Sequence, residues 1–192
     1  MYGAIISYRT PVPAFGWKFW LRFTNYSWLQ NTFTNMPETH CAIYVGSLHR
    51  QEKEMVYDAH YSVRFGTLSF NEERNTLFLI GAEDKELKPV IDSLIEDYEE
   101  TIYGFFQLPY FILRWMFGWL FDVRRWWFPF KKGKICSELV WEYLYRIAKK
   151  KRWLDLMDEL NKWKPDNVHA GDIRQIINKF ENKYFTKIKG VQ

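Results

Sequence analysis

Cys136 opens the run Cys136-Ser-Glu-Leu-Val-Trp-Glu-Tyr-Leu, whose apolar residues recur at helical spacing just after the flexible entry of Gly133. A cysteine at a helix start suits nucleophilic chemistry, because unpaired N–H groups and the positive end of the helix dipole favour the thiolate, the reactive form. Such chemistry also needs a base within hydrogen-bond reach and a polar group that fixes the base's orientation and tautomer. His40, opening a strand far upstream, supplies the base, and Asp58 on the adjoining strand supplies the orienter. His60 shares the face of Asp58 two residues on and is the reserve orienter. Buried cysteines commonly pack as small hydrophobes, so Cys136 alone defines no site; the three residues together do.

The elements that must position these groups follow from periodicity. Ala4 to Tyr8 reads as a first strand, stopped by Pro11 and Pro13, which cannot donate to a ladder. Phe15 to about Gln30 suits a helix or two helical turns, and the turn at Asn35-Met-Pro-Glu delivers the chain to His40. His40-Cys-Ala-Ile-Tyr-Val-Gly is the clearest strand, rich in β-formers and closed by Gly46. Alternation sets His40, Ala42 and Tyr44 on one face and Cys41, Ile43 and Val45 on the other. Met55 to His60 returns as its hairpin partner, and Val63 to Phe70 and Thr76 to Ala82 continue as an antiparallel meander.

The period then changes. Leu87, Val90, Ile91, Leu94, Ile95 and Tyr98 recur at three and four, so Asp84 to about Ile102 is an amphipathic helix. After the Cys136 helix come a helix over Trp153 to Lys162 and a last one from Gly171 to about Tyr184. Ser137 and Glu138 suit the capping and charge of a first helical turn. His49 lies in a turn and His169 near a helix start, where surface roles suffice.

At 192 residues the chain fits one domain spanning 1–192 with a core of its own. Its two cysteines, Cys41 and Cys136, are too few for a disulfide framework, and no Cys/His cluster has zinc spacing, so neither metal nor cofactor is expected. The net charge of +4 is mild and its cations interleave with acids, which excludes nucleic acid as the expected partner. The run Lys149 to Arg152 reads as a solvated helix end, where cations are favoured. Met1 to Arg9 lacks the pattern of a secretory signal, so export by that route is not expected.

Aromatic residues form 20% of the chain, with ten tryptophans, and they crowd into about 103–130. That stretch has the length of a membrane span, but Arg114 near its centre and Gln107, Pro109 and Gly118 are costly or disruptive in hydrocarbon. A buried or interfacial helical insertion lining an apolar cleft is expected instead, with peripheral contact to a membrane surface or a protein partner open to it.

The strings around the three site residues resemble the NlpC-type papain-like superfamily in its circularly permuted branch, with its YiiX-like and lecithin:retinol acyltransferase-like members. His40-Cys-Ala-Ile-Tyr-Val-Gly is similar to that family's His-x-Gly-Ile-Tyr-x-Gly strand, Val56-Tyr-Asp-Ala to the next strand with its third polar member, and Cys136-Ser-Glu-Leu-Val to the nucleophile helix. His40 precedes Cys136, which is the permuted order. Weaker echoes are Ala4-Ile-Ile, Tyr103-Gly-Phe, and Asp166-Asn to Ile173; Ala42 in place of glycine and Asp58 in place of Glu, His or Gln are departures.

The resemblance implies an α+β papain-like permuted fold, an antiparallel β-sheet packed against the nucleophile helix with flanking helices. It implies a cysteine hydrolase with Cys136 as nucleophile, His40 as base, Asp58 as orienter and Tyr103 as an oxyanion ligand beside the nucleophile's own N–H. Two substrate classes stay open: a peptidoglycan-type amide, and a lipid or fatty-acyl ester or amide, hydrolysed or transferred. A non-catalytic virion or membrane-docking protein is the third reading, since similar compact domains occur in bacteria and phages. A cytoplasmic location or carriage in a phage particle follows as the expectation.

Overall fold

The computed structural model describes residues 2–9, 38–47, 54–59, 62–67, 75–101 and 134–188. The expected helix over Phe15 to Gln30, the aromatic insertion at 103–130, His49, His60 and Tyr103 lie outside the described residues. Within them the chain is α+β, with six strands in one antiparallel sheet and four helices. The strands are β1 (Ile5–Arg9), β2 (Glu38–Ser47), β3 (Glu54–Ala59), β4 (Val63–Thr67), β5 (Asn75–Ile80) and β6 (Phe185–Ile188). The helices are α1 (Asp84–Tyr98), α2 (Cys136–Lys151), α3 (Leu154–Leu160) and α4 (Ala170–Lys179).

The sheet order is β4-β3-β2-β1-β5-β6, which corrects the meander. β2, β3 and β4 do run as successive hairpins, but β5 leaves β4 and pairs with β1, Ile5 facing Phe78 and Ser7 facing Thr76. β1 is thereby a central strand, and its residues Ile5 and Ile6 are fully buried. The last helix is also shorter than its periodicity suggests. α4 stops at Lys179, Asn182 takes a left-handed conformation at φ 67°, and Phe185–Ile188 returns as β6 along β5. A four-residue strand shows too little alternation to compete with a helical pattern that Phe180 and Tyr184 extend at a spacing of four.

Two separate buried clusters mark the two faces of the sheet. On one face Ile5, Cys41, Ile43, Tyr57 and Phe78 pack with residues from all four helices, including Val90 and Ile91 of α1, Leu144 of α2, Leu156 of α3 and Ile173 of α4. On the other, Ala4, Ile6, Ala42, Tyr44, Val56 and Leu77 form a cluster of strand-side residues, with Tyr8 against it.

α2 buries Leu139, Val140, Tyr143, Leu144, Ile147 and Ala148, the spacing that keeps one side of a helix on a core. Its middle is clasped to the segment before β1: Tyr143 Oη donates to Gly3 O at 2.7 Å. Gly3 has φ +76°, and a Cβ there would stand 2.5 Å from that hydroxyl and 2.7 Å from Leu87 Cδ1, so only glycine fits. The basic run at the end of α2 is not simply solvated. Lys150 Nζ donates to Glu86 O at 2.9 Å and Lys151 pairs with Glu86 at 2.7 Å, which ties α2 to the first turn of α1.

Candidate active site

Cys136 is the first residue of α2, so its own backbone N–H lies in the turn that has no intrahelical partner. The helix start is held by groups other than a cap. Ile135 occupies the N-cap with no side-chain bond to offer, and Ser137, expected to cap, instead donates to Val168 O at 2.6 Å. Glu138 lies in the first turn as expected, but it is fully buried and pairs with Lys134 at 2.5 Å. Ser137 therefore fixes α2 to the segment that leads into α4. That segment is capped by His169, which is completely buried: its Nδ1 accepts from Gly171 N at 3.0 Å while its own N–H donates to Asp172 Oδ2 at 2.8 Å. The surface role expected for His169 is thus replaced by a reciprocal cap in the core.

On the sheet, the Ile43–Tyr57 register sets Asp58 on the face that alternation gives His40. His40 Nε2 donates to Asp58 Oδ2 at 3.2 Å, and the His40 side chain also hydrogen-bonds to Cys136. The Tyr8 ring lies 5.3 Å from the imidazole and tilted to it, which closes a third side. His40 is partly exposed, whereas Cys136 is buried.

The thiol sits where β2 and β3 part. Tyr44 N–H donates to Ala4 O, on the β1 side. Backbone N–H groups alternate along a strand, so Cys41 N–H points the other way, toward β3. The β2–β3 register runs only as far as Ile43 and Tyr57, leaving Cys41 beyond its last pair. There the Cys41 N–H and its side chain, together with the His40 side chain, hydrogen-bond to Cys136. Imidazole and thiol thus reach one another although His40 belongs to one face of the sheet and Cys41, next to Cys136, to the other.

Charge follows from these contacts. The hydrogen bond from Cys41 pulls the Cys136 thiol well below its usual range; burial opposes it, and the His40 charge and hydrogen bond reinforce it. Burial alone would make His40 less basic, but the Cys136 charge and the hydrogen bonds to Asp58 and Cys136 outweigh it and raise His40 to about 10. Cys41 is pushed well up, first by burial and then by Cys136. Both shifts run in the direction that favours an ionised Cys136 beside a protonated His40.

The structure brings Cys136, His40 and Asp58 together; His60 and Tyr103 lie outside the described residues. Sequence reasoning missed Cys41, because strand alternation separates it from His40 and gives no sign that the sulfur lies in the gap between strands. Among the described residues no group of His, Cys, Asp and Glu is arranged to hold a metal ion, and no helix is long and apolar enough to cross a membrane. In comparisons with known proteins, no family model and no curated protein matches the chain.

Proposed function

We propose that this chain is a cysteine hydrolase of the permuted papain-like kind, cleaving an amide bond of a peptidoglycan-type peptide through an acyl-enzyme on Cys136. The observation that carries the reading is Cys136 at the head of α2, within hydrogen-bond reach of the His40 side chain, whose Nε2 lies 3.2 Å from Asp58 Oδ2. An ionised sulfur attacks a carbonyl carbon without first losing a proton, and an imidazolium beside it protonates the departing amine.

In the first half-reaction Cys136 Sγ bonds to the carbonyl carbon and the oxygen takes the negative charge. The Cys136 N–H, which no intrahelical acceptor can reach, stabilises that oxygen, and Tyr103 is the second donor that the family resemblance offers. His40 passes its Nδ1 proton to the leaving nitrogen, the C–N bond breaks, and a thioester remains. Neutral His40 then takes a proton from water, the resulting hydroxide attacks the thioester, and the acid leaves as thiolate and imidazolium are restored. Asp58 accepts from Nε2 throughout and holds the orientation of the imidazole.

The competing acyl reading rests on the aromatic composition of 103–130, which would favour a fatty-acyl ester or amide. Incubation with muropeptides and with acylated lipids, read by mass spectrometry for product and for an acyl adduct on Cys136, separates the two. Muropeptide cleavage lost in Cys136→Ala supports the amidase. Cleavage of lipid substrates alone assigns the acyl class, and turnover that survives Cys136→Ala overturns both.

A further inference from the structure

We propose that Arg174 is the receptor for a carboxylate of the substrate, two strands away from the thiol on the helical face of the sheet. Arg174 lies in α4 and is only 7% exposed, with its guanidinium carbon 4.1 Å from the centroid of the Phe78 ring in β5. Its Nε and Nη1 have no hydrogen-bond partner among the described residues. A guanidinium keeps its charge at every working pH, and buried donors without an acceptor are costly, so the site is built for an acceptor that arrives from outside. The carboxylates nearby do not fill that role. Glu38 Oε1 accepts from Arg9 Nε at 3.0 Å, and Glu38 and Glu181 act on Arg174 through their charge alone. Burial makes Arg174 less basic and the Arg9 charge adds to this, by more than the two carboxylates restore.

Strand register relates this cation to the thiol. Ser7 faces Cys41 across β1 and β2 and Thr76 across β1 and β5, while Ile5 faces Phe78, so alternation sets Ser7, Cys41 and Phe78 on one face. Ser7 lies between the other two, buried, and its hydroxyl oxygen is a further polar atom with no partner among the described residues. Cys41 and Phe78 are two strand spacings apart, which places a carboxylate on Arg174 on the order of 10 Å from Cys136. That is about the length of three extended residues. A peptide with an acidic group a few residues from the scissile bond fits this spacing, whereas a plain fatty-acyl chain brings nothing for the guanidinium to hold. Within the hydrolase reading, on which it rests, the receptor thus selects an acidic peptide.

Binding is read without turnover, so the receptor and the hydrolase fail separately. Glutarate is titrated into the native protein at constant ionic strength, with its uncharged diamide, glutaramide, as the control, and the Arg174 Nε–H signal is followed by NMR. Glutarate should shift that signal saturably and raise Tm, and glutaramide should do neither. Arg174→Met, which keeps an apolar stem over Phe78 and removes the charge, should abolish the rise in Tm. Among cleaved amides, an acidic peptide should exceed its neutral amide by about tenfold or more in kcat/KM, and Arg174→Met should erase the preference. An Nε–H signal that ignores glutarate, or that glutaramide moves equally, overturns the proposal, as does a rise in Tm that survives Arg174→Met. If that variant does not fold, the titration of the native protein decides alone. A glutarate response in a protein that cleaves no amide sinks the hydrolase and leaves the carboxylate receptor; amide cleavage with no response at Arg174 sinks the receptor and leaves the hydrolase.

Discussion

On one face of the sheet, four helices cover Ile5, Cys41, Ile43 and Tyr57, and the first residue of one of them is the thiol; on the other, the buried cluster consists of strand-side residues, and His40 and Asp58 align with it. The thiol is thus placed by helix packing, whereas the imidazole and its carboxylate partner are placed by strand register. Two independent devices meet at the point where β2 and β3 separate. Damage to the helical face should therefore appear in stability and in the thiol together. Damage to the other should appear in proton transfer, with the thiol still in place.

The largest expected effect tests whether the faces must cooperate. Against the best-cleaved amide or ester, His40→Ala should lower kcat/KM by on the order of 10³-fold or more while circular dichroism stays native. A loss below tenfold would separate the imidazole from the chemistry. Next, Leu144→Ala, at a fully buried site on the helical face, should cost about 2–5 kcal/mol in urea unfolding. The same change should slow Cys136 alkylation, because the helix start moves with the core.

Asp58→Asn on the opposite face should cost less, about 1.5–3 kcal/mol in the transition state, the worth of a hydrogen bond to a charged group. Its signature lies in pH. The reactive pair forms as Cys136 loses its proton, well below the usual thiol range, and is lost as His40 loses its own near 10. Native kcat/KM should therefore rise early with pH and fall near 10, and Asp58→Asn should bring the falling limb down while leaving the rising one. A falling limb that stays in its native place would show that Asp58 does not support the imidazolium. Smallest of all, Asp97→Ala removes one partner of Arg146, at 2.7 Å between α1 and α2, and leaves Glu142; half-exposed, it should change stability by under about 1 kcal/mol.

The parts of the site governed by local rules are legible in the sequence. The apolar spacing after Cys136 marks a helix start, and the β-forming strings around His40 and Asp58 mark two adjoining strands. The alternation of His40 and Cys41 holds as well, but it hides the fact that both reach the sulfur. That depends on the β2–β3 ladder stopping at Ile43–Tyr57, a tertiary event with no local signature. The same limit explains His169 and Ser137, whose polar side chains suggest surface and cap roles until the packing of α4 beside α2 buries them. β5 is equally instructive: its own residues announce a strand, but its choice of β1 over β4 is a contest between pairings distant in sequence.

The clasp between Tyr143 and Gly3 joins residues 140 apart in the chain. At a synthesis rate of roughly 5–20 residues per second, about 7–28 s separate the appearance of its two halves. Through that interval β1 and β2 have no α2 to cover them, and long-range pairings of this kind close slowly. Cys136 arrives near the end of the wait and gains its donors only as the helix docks on the waiting strands. The surroundings of the thiol are therefore complete only after α2 has been made and has docked.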